Sequence, residues 1–423
     1  MNKKCPLLAV LMLASTVSSW GSGFQVAEQG ASNIGTALAG SATNANNDAS
    51  AAYWNPSAAF FTDGDMKLDI SGTIIRPSFD FRGTAYYPNG EQVQGSMGGN
   101  AGEVAYVPNL FFVKKINEEW LFSFVMTSPY GLVTEYDDDF VGRLHGIKSD
   151  LMTVEFNPSI AYKPLDWLTF SIGASANYVN ADLTSTSYTG YPAPFSEAFT
   201  RVNGHSWSGS FNVGVTVKFL ETGRFGVAYR YSTDHTLSGS LYTTNPLTNA
   251  VSSTPISCDL TLPSNLNVGV YYRFTCEPLK SFAVMADYAF TQWSSFDKLE
   301  FKPLGAQGTT KENWKDTSRI SFGIHYYPEF IENLVVRIGG AWDESPVRNA
   351  TYRTPRVPDS NRWWVSGGIG YKFWDRFNID IAYTYLLFND TDIDNSVEPY
   401  KGSMSGYYKG HAHMLSMQFG MKW

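Results

Sequence analysis

The chain has 423 residues, a formal net charge of −8, 15% aromatic residues and only 17% charged ones. That acidic balance excludes nucleic acid as the partner, because binding a phosphate backbone needs a basic face. Mean hydropathy is slightly negative and no apolar run of roughly 18 residues follows the N-terminus, so a helical membrane protein is excluded as well.

The first element is a secretory signal over residues 1–21. Asn2, Lys3 and Lys4 supply a basic start, and Pro6 to Val17 an apolar stretch. Ser19 and Gly21 put small residues where a signal peptidase cuts. Residues 22–62 follow, rich in Ala, Gly, Asn and Ser and without period-2 alternation. Phe24, Val26, Leu38, Tyr53, Trp54, Phe60 and Phe61 nevertheless give this segment apolar groups to bury, which favours a packed plug over a disordered tail.

From about Met66 onward the chain reads as strands separated by turns. Strict alternation is clearest in the last strand. Leu415, Met417, Phe419, Met421 and Trp423 share one face, and Met414, Ser416, Gln418, Gly420 and Lys422 the other. The connections alternate between short turns, near 117–119, 164–167, 221–223, 275–280, 330–333 and 375–377, and long loops. The long loops fall near 83–104, 133–150, 186–205, 240–257, 303–313, 348–361 and 393–409. Short turns on one side and long loops on the other are the asymmetry of outer-membrane barrels. The count gives about fourteen antiparallel strands over residues 63–423, an even number as such barrels require. Trp120, Trp167, Trp314, Tyr371 and Trp374 fall toward strand ends, as interface girdles would place them.

Several local motifs occur in order along the chain. Asn55-Pro56-Ser57 closes the N-terminal segment. Ser128-Pro129-Tyr130-Gly131 ends the third strand, Leu262-Pro263 leads into the eighth, and Thr354-Pro355, Pro358-Asp359 and Arg362-Trp363 follow. Pro129 cannot complete a ladder bond, so it belongs at an edge or an interruption. The ordered set resembles the FadL family of long-chain fatty acid transporters, with Ser57 where that family has Ala. The resemblance implies an all-β, transmembrane antiparallel barrel of about fourteen strands, plugged by an N-terminal hatch that includes Phe24, Val26, Asn55, Pro56 and Ser57. It implies passive uptake of fatty acids or other hydrophobic small molecules across the bacterial outer membrane. It also implies a lateral gate where the third strand kinks, at Ser128, Pro129, Tyr130 and Gly131.

One departure concerns the substrate. Members of that family that carry fatty acids have a basic residue near the outer end of the fifth strand, whereas this chain reads Asn180 to Ser185 without a cation. Arg201, Arg230 or Arg319 then stands as the candidate head-group cation; otherwise the ligand is an uncharged hydrocarbon, because a buried carboxylate without a partner is costly. No catalytic constellation, metal site or cofactor motif emerges. His411 and His413 share an outward face without a carboxylate, His145 and His235 read as solvated loop residues, and Asp137 to Asp139 as a solvated acidic loop. Cys258 and Cys276 lie at opposite ends of one strand, about 50 Å apart, and are expected as free thiols. The expected partners are a hydrophobic small molecule and outer-membrane lipid with lipopolysaccharide, around a monomer. A surface adhesin without transport remains the alternative.

Overall fold

The computed structural model describes residues 22–423; the signal segment lies outside them. The chain forms a closed barrel of fourteen antiparallel strands. In order these are Met66–Tyr86, Ala105–Lys115, an interrupted third (Trp120–Thr127, then Gly131–Glu135), Lys148–Leu165, Leu168–Tyr188 and Glu197–Phe219. The seventh and eighth each have two parts: Gly223–Arg230 with Thr233–Thr244, and Val251–Leu262 with Asn265–Arg273. Then come Phe282–Thr291, Thr317–Tyr326, Leu334–Asp343, Arg362–Phe373, Phe377–Phe388 and Ser403–Lys422. The ring closes where the first strand pairs with the last, from Lys67↔Lys422 to Tyr86↔Ser403. No helix among the described residues is long and apolar enough to cross a membrane.

Alternation sets the two faces. In the last strand Leu415, Met417 and Phe419 are 52%, 55% and 44% exposed, while Met414, Ser416 and Gln418 are fully buried. A face of large exposed apolar side chains is stable only against hydrocarbon. Trp120, Trp167, Trp374 and Trp423 are exposed beside the short turns, as a girdle requires. Trp314 is a correction: it is buried in the interior rather than placed at an interface.

Two connections are shorter than the sequence suggests. The fifth and sixth strands run on to Tyr188 and from Glu197, and the seventh and eighth meet across residues 245–250. Beyond the membrane both faces of these hairpins meet water, so alternation fades while Thr- and Ser-rich β-structure continues. His145 and His235 are a second correction. Both are buried: the connection holding His145 folds inward, whereas His235 lies within the strand Thr233–Thr244, its Nε2 3.1 Å from Asn177 Oδ1. Cys258 and Cys276 are free thiols.

Residues 22–62 form four short turns of helix, Ala31–Ile34, Ser41–Thr43, Ala51–Trp54 and Pro56–Phe61. They touch strands all around the ring, from the first two through the sixth to the last. Too short to satisfy their own N–H groups, these turns are capped by barrel carboxylates. Asp287 accepts from the N–H groups of Gly40 (2.6 Å) and Ala42 (2.9 Å), and Asp69 accepts from that of Ala49 (2.6 Å). Close approach needs small residues on the wall. A side chain at Gly339 would stand 2.2 Å from the Thr36 backbone.

Candidate functional site

The site begins at the break in the third strand. The ladder stops at Thr127 and resumes at Gly131, now laddered to the fourth strand and no longer to the second. The second strand pairs with the third over Leu110–Lys115 only. Its Ala105–Asn109 stretch faces no ladder partner on that side, a gap about 16 Å long at 3.3 Å per residue.

The freed backbone is not left unsatisfied. Val26 N–H donates to Pro129 O and Gly131 N–H donates to Phe24 O, both at 2.8 Å. Gln25 and Tyr130 complete an antiparallel bridge. The N-terminus thus takes the place of the missing strand, on the inner side of the wall. Thr153 Oγ1 accepts from Tyr130 N–H at 2.9 Å and donates to Tyr130 O at 2.6 Å. Ser128 Oγ donates to Thr153 O (2.6 Å), and Tyr130 OH donates across the lumen to Pro263 O (2.9 Å).

Phe24 stands inside an aromatic cage. Its ring centroid lies 4.7 Å from Trp293, 5.5 Å from Phe296 and 5.5 Å from Trp314. Gly23 permits this: its φ is +63°, and a Cβ there would meet Trp314 at 2.6 Å. Beside the cage lies an apolar cavity of about 80 Å³. Phe24, Leu132, Leu151, Leu237, Ile256 and Leu260 are among its walls. A larger outer cavity shares Leu183, Val202, Leu299, Phe301 and Arg356 with it, so the two are continuous.

The inner cavity's polar lining is sparse and includes two charged side chains, Arg356 and Glu312. Arg356 donates from Nη1 to Lys148 O (2.8 Å) and Ser149 Oγ (3.0 Å), and from Nη2 to Thr184 O (3.1 Å). It makes no ion pair among the described residues. Burial pushes it down to about 10, a value at which it stays charged. Burial raises the Glu312 carboxyl to about 7, and Trp314 Nε1 donates to it at 3.1 Å. Lys401 is lowered by burial to about 8 and donates to Thr310 Oγ1 at 2.7 Å.

The residues singled out from the sequence separate into groups. Phe24, Val26, Ser128, Pro129, Tyr130 and Gly131 come together at the break. Asn55, Pro56 and Ser57 lie apart from the apolar cavity and fasten the N-terminal segment to the wall. Asn55 Nδ2 donates to Ala42 O (2.8 Å) and Thr216 Oγ1 (3.1 Å), and Thr169 Oγ1 donates to Ser57 O (3.0 Å). Of the three cations, Arg201 lies on the outer face of the barrel, bound to Asp182 with Nε 2.9 Å from Oδ1. Arg230 is buried against Glu155, and its guanidinium sits 4.7 Å from the Tyr53 ring centroid. Arg319 is buried near Trp54. None of the three lines the apolar cavity. Arg356 does, and reasoning from sequence missed it although it sits between two noted motifs. Nothing in a long loop tells which cation turns inward.

Similar proteins share this architecture. The profile of the family described as outer membrane protein transport protein (OMPP1/FadL/TodX) matches residues 11–423. A long-chain fatty acid transport protein of Escherichia coli O6:H1 is 29% identical over 416 residues, covering 90% of each chain. Outer membrane protein P1 of Haemophilus influenzae is 28% identical, covering 90% of this chain and 89% of that one. Among solved structures, a Pseudomonas aeruginosa FadL homologue superposes with a TM-score of 0.86 at 22% identity, covering 95% of this chain and 99% of the other. The P. putida toluene transporter TodX gives 0.68 at 15%, covering 96% and 99%. The chain therefore belongs to the OMPP1/FadL/TodX family of outer-membrane transport proteins.

Proposed function

We propose that the protein carries hydrophobic small molecules passively across the outer membrane, and that its substrate is a long-chain fatty acid. The observation that carries this reading is the apolar cavity walled by Phe24 and Leu132, which ties it directly to the N-terminal strand and the break in the wall. The outer cavity collects the substrate, the inner cavity holds its chain, and residues 22–62 act as the hatch. Movement of Phe24 to Val26 away from Pro129 to Gly131 opens the way to the gap beside the second strand. From there the substrate leaves sideways, where unpaired backbone borders the route.

A fatty acid rather than a hydrocarbon is favoured by Arg356. A buried cation hydrogen-bonded only to neutral oxygens beside an apolar cavity is what a carboxylate needs. Binding of labelled oleate and of toluene to the purified barrel tests this. Arg356→Met is expected to weaken oleate about ten- to hundredfold, from a charged hydrogen bond worth about 1.5–3 kcal/mol, and to leave toluene unchanged. Equal loss of both ligands, or of neither, would remove Arg356 from the site.

A further inference from the structure

The uptake pathway leaves the outward face of the first, thirteenth and last strands unexplained. The ladder sets Arg76 opposite His413, and His413 opposite Tyr385, with Ser78 opposite His411 one step further out. Arg76 and His413 are exposed, and His411 is half-buried. Tyr383 OH and His413 Nδ1 are 2.7 Å apart, which fixes that ring and leaves its Nε2 edge without a protein partner. Arg76 makes no ion pair or side-chain hydrogen bond among the described residues. Carboxylates enter the outward face only two steps above Arg76, where Asp80 lies opposite Lys409 and Asp390 pairs with Lys409 at 3.4 Å.

The height of the row decides what it can meet. Ten residues separate Met66 from Arg76 and His413 from Trp423. At about 3.3 Å per residue and a strand tilt near 40°, that is a climb of about 25 Å, the height of the apolar band on such barrels. Below the row the outward residues are Ile70, Ile74, Leu415, Met417, Phe419 and Tyr383. The chain thus changes from apolar to cationic where the hydrocarbon ends on the long-loop side. Three polar side chains without acid partners, Arg76 among them a permanent cation, held at the outer head-group level, match an anionic head group in charge and position.

We propose that Arg76, His411 and His413 form a docking site for the phosphate of an outer-leaflet glycolipid, the lipid A part of lipopolysaccharide. Arg76 meets the phosphate oxygens by charge-assisted hydrogen bonds, His413 donates from Nε2, and the acyl chains lie along the apolar band beneath.

Native mass spectrometry of the full barrel in mild detergent tests this, with bisphosphorylated lipid A, its dephosphorylated form and phosphatidylglycerol as probes. The parent is expected to retain bisphosphorylated lipid A at least tenfold better than the other two. Arg76→Ser with His411→Gln and His413→Gln is expected to lose that excess, while Lys298→Gln, a distant exposed cation, keeps it. Heat-modifiable migration checks that each variant is folded, and Arg76→Gln alone carries the test should the triple variant fail to fold. Equal retention by parent and folded variant overturns the proposal. So does equal retention of the dephosphorylated lipid, or of phosphatidylglycerol, which would mean a non-specific lipid contact.

Discussion

Arg356 is hydrogen-bonded by two backbone carbonyls and one hydroxyl, and the Glu312 carboxyl acts on its charge only through space. Its environment makes ligand binding depend on pH. Glu312, which lines the same cavity, gains negative charge as pH rises through about 7, and Lys401 loses positive charge through about 8. Both changes oppose a bound carboxylate, while Arg356 stays charged. Oleate affinity is therefore expected to fall between pH 6 and 9, as read by fluorescence titration, and Glu312→Gln to flatten the lower part of that fall. A pH-independent affinity would separate Glu312 and Lys401 from the ligand. Phe24 is the other residue on which the cavity depends. Phe24→Ala removes a buried aromatic worth about 3–5 kcal/mol in a core and opens the floor of the cavity. Oleate affinity should drop more than tenfold while the barrel, whose ladders the Phe24 side chain does not join, keeps its heat-modifiable migration.

At the level of elements, the third strand and the N-terminal strand act as one unit. Each supplies backbone groups that the other needs, because a barrel in lipid has no water to satisfy them. Val26→Pro removes the donor to Pro129 O and nothing else from that ladder. One net hydrogen bond is worth about 0.5–1.5 kcal/mol, so the detached state should gain about two- to tenfold in population. Hydrogen exchange at Gly131, whose N–H pairs with Phe24 O, should quicken by that factor. Unchanged exchange would mean that the N-terminal strand is held by Phe24 and its cage rather than by the ladder.

The break itself was legible in the sequence, because Pro129 carries its own physical signal. What pairs with it was not, since Phe24 to Val26 lie more than one hundred residues earlier and show no alternation. For the same reason Trp314 read as a girdle residue. Its sequence neighbours do not reveal that the connection holding it turns into the lumen, whereas Trp120 and Trp167 flank short turns that cannot reach inward.

Across the whole molecule, the two-faced wall was readable because each strand repeats one physical requirement, hydrocarbon outside and polar groups within. The last strand alone shows it, with Leu415, Met417 and Phe419 outward and Ser416 and Gln418 inward. The interior was less readable, because a cavity is built from loops and from strands that meet only in the closed ring. The architecture places an apolar cavity beside a gap in the wall, and the central claim is that substrate passes through that gap. The most direct measurement is uptake of labelled oleate by cells carrying Pro129→Val with Gly131→Val, which restores an N–H and β-propensity at the break. The account predicts uptake no better than in cells lacking the protein, although the purified variant remains heat-modifiable and still binds oleate. Full uptake by a folded barrel whose third strand pairs continuously with the second would contradict it.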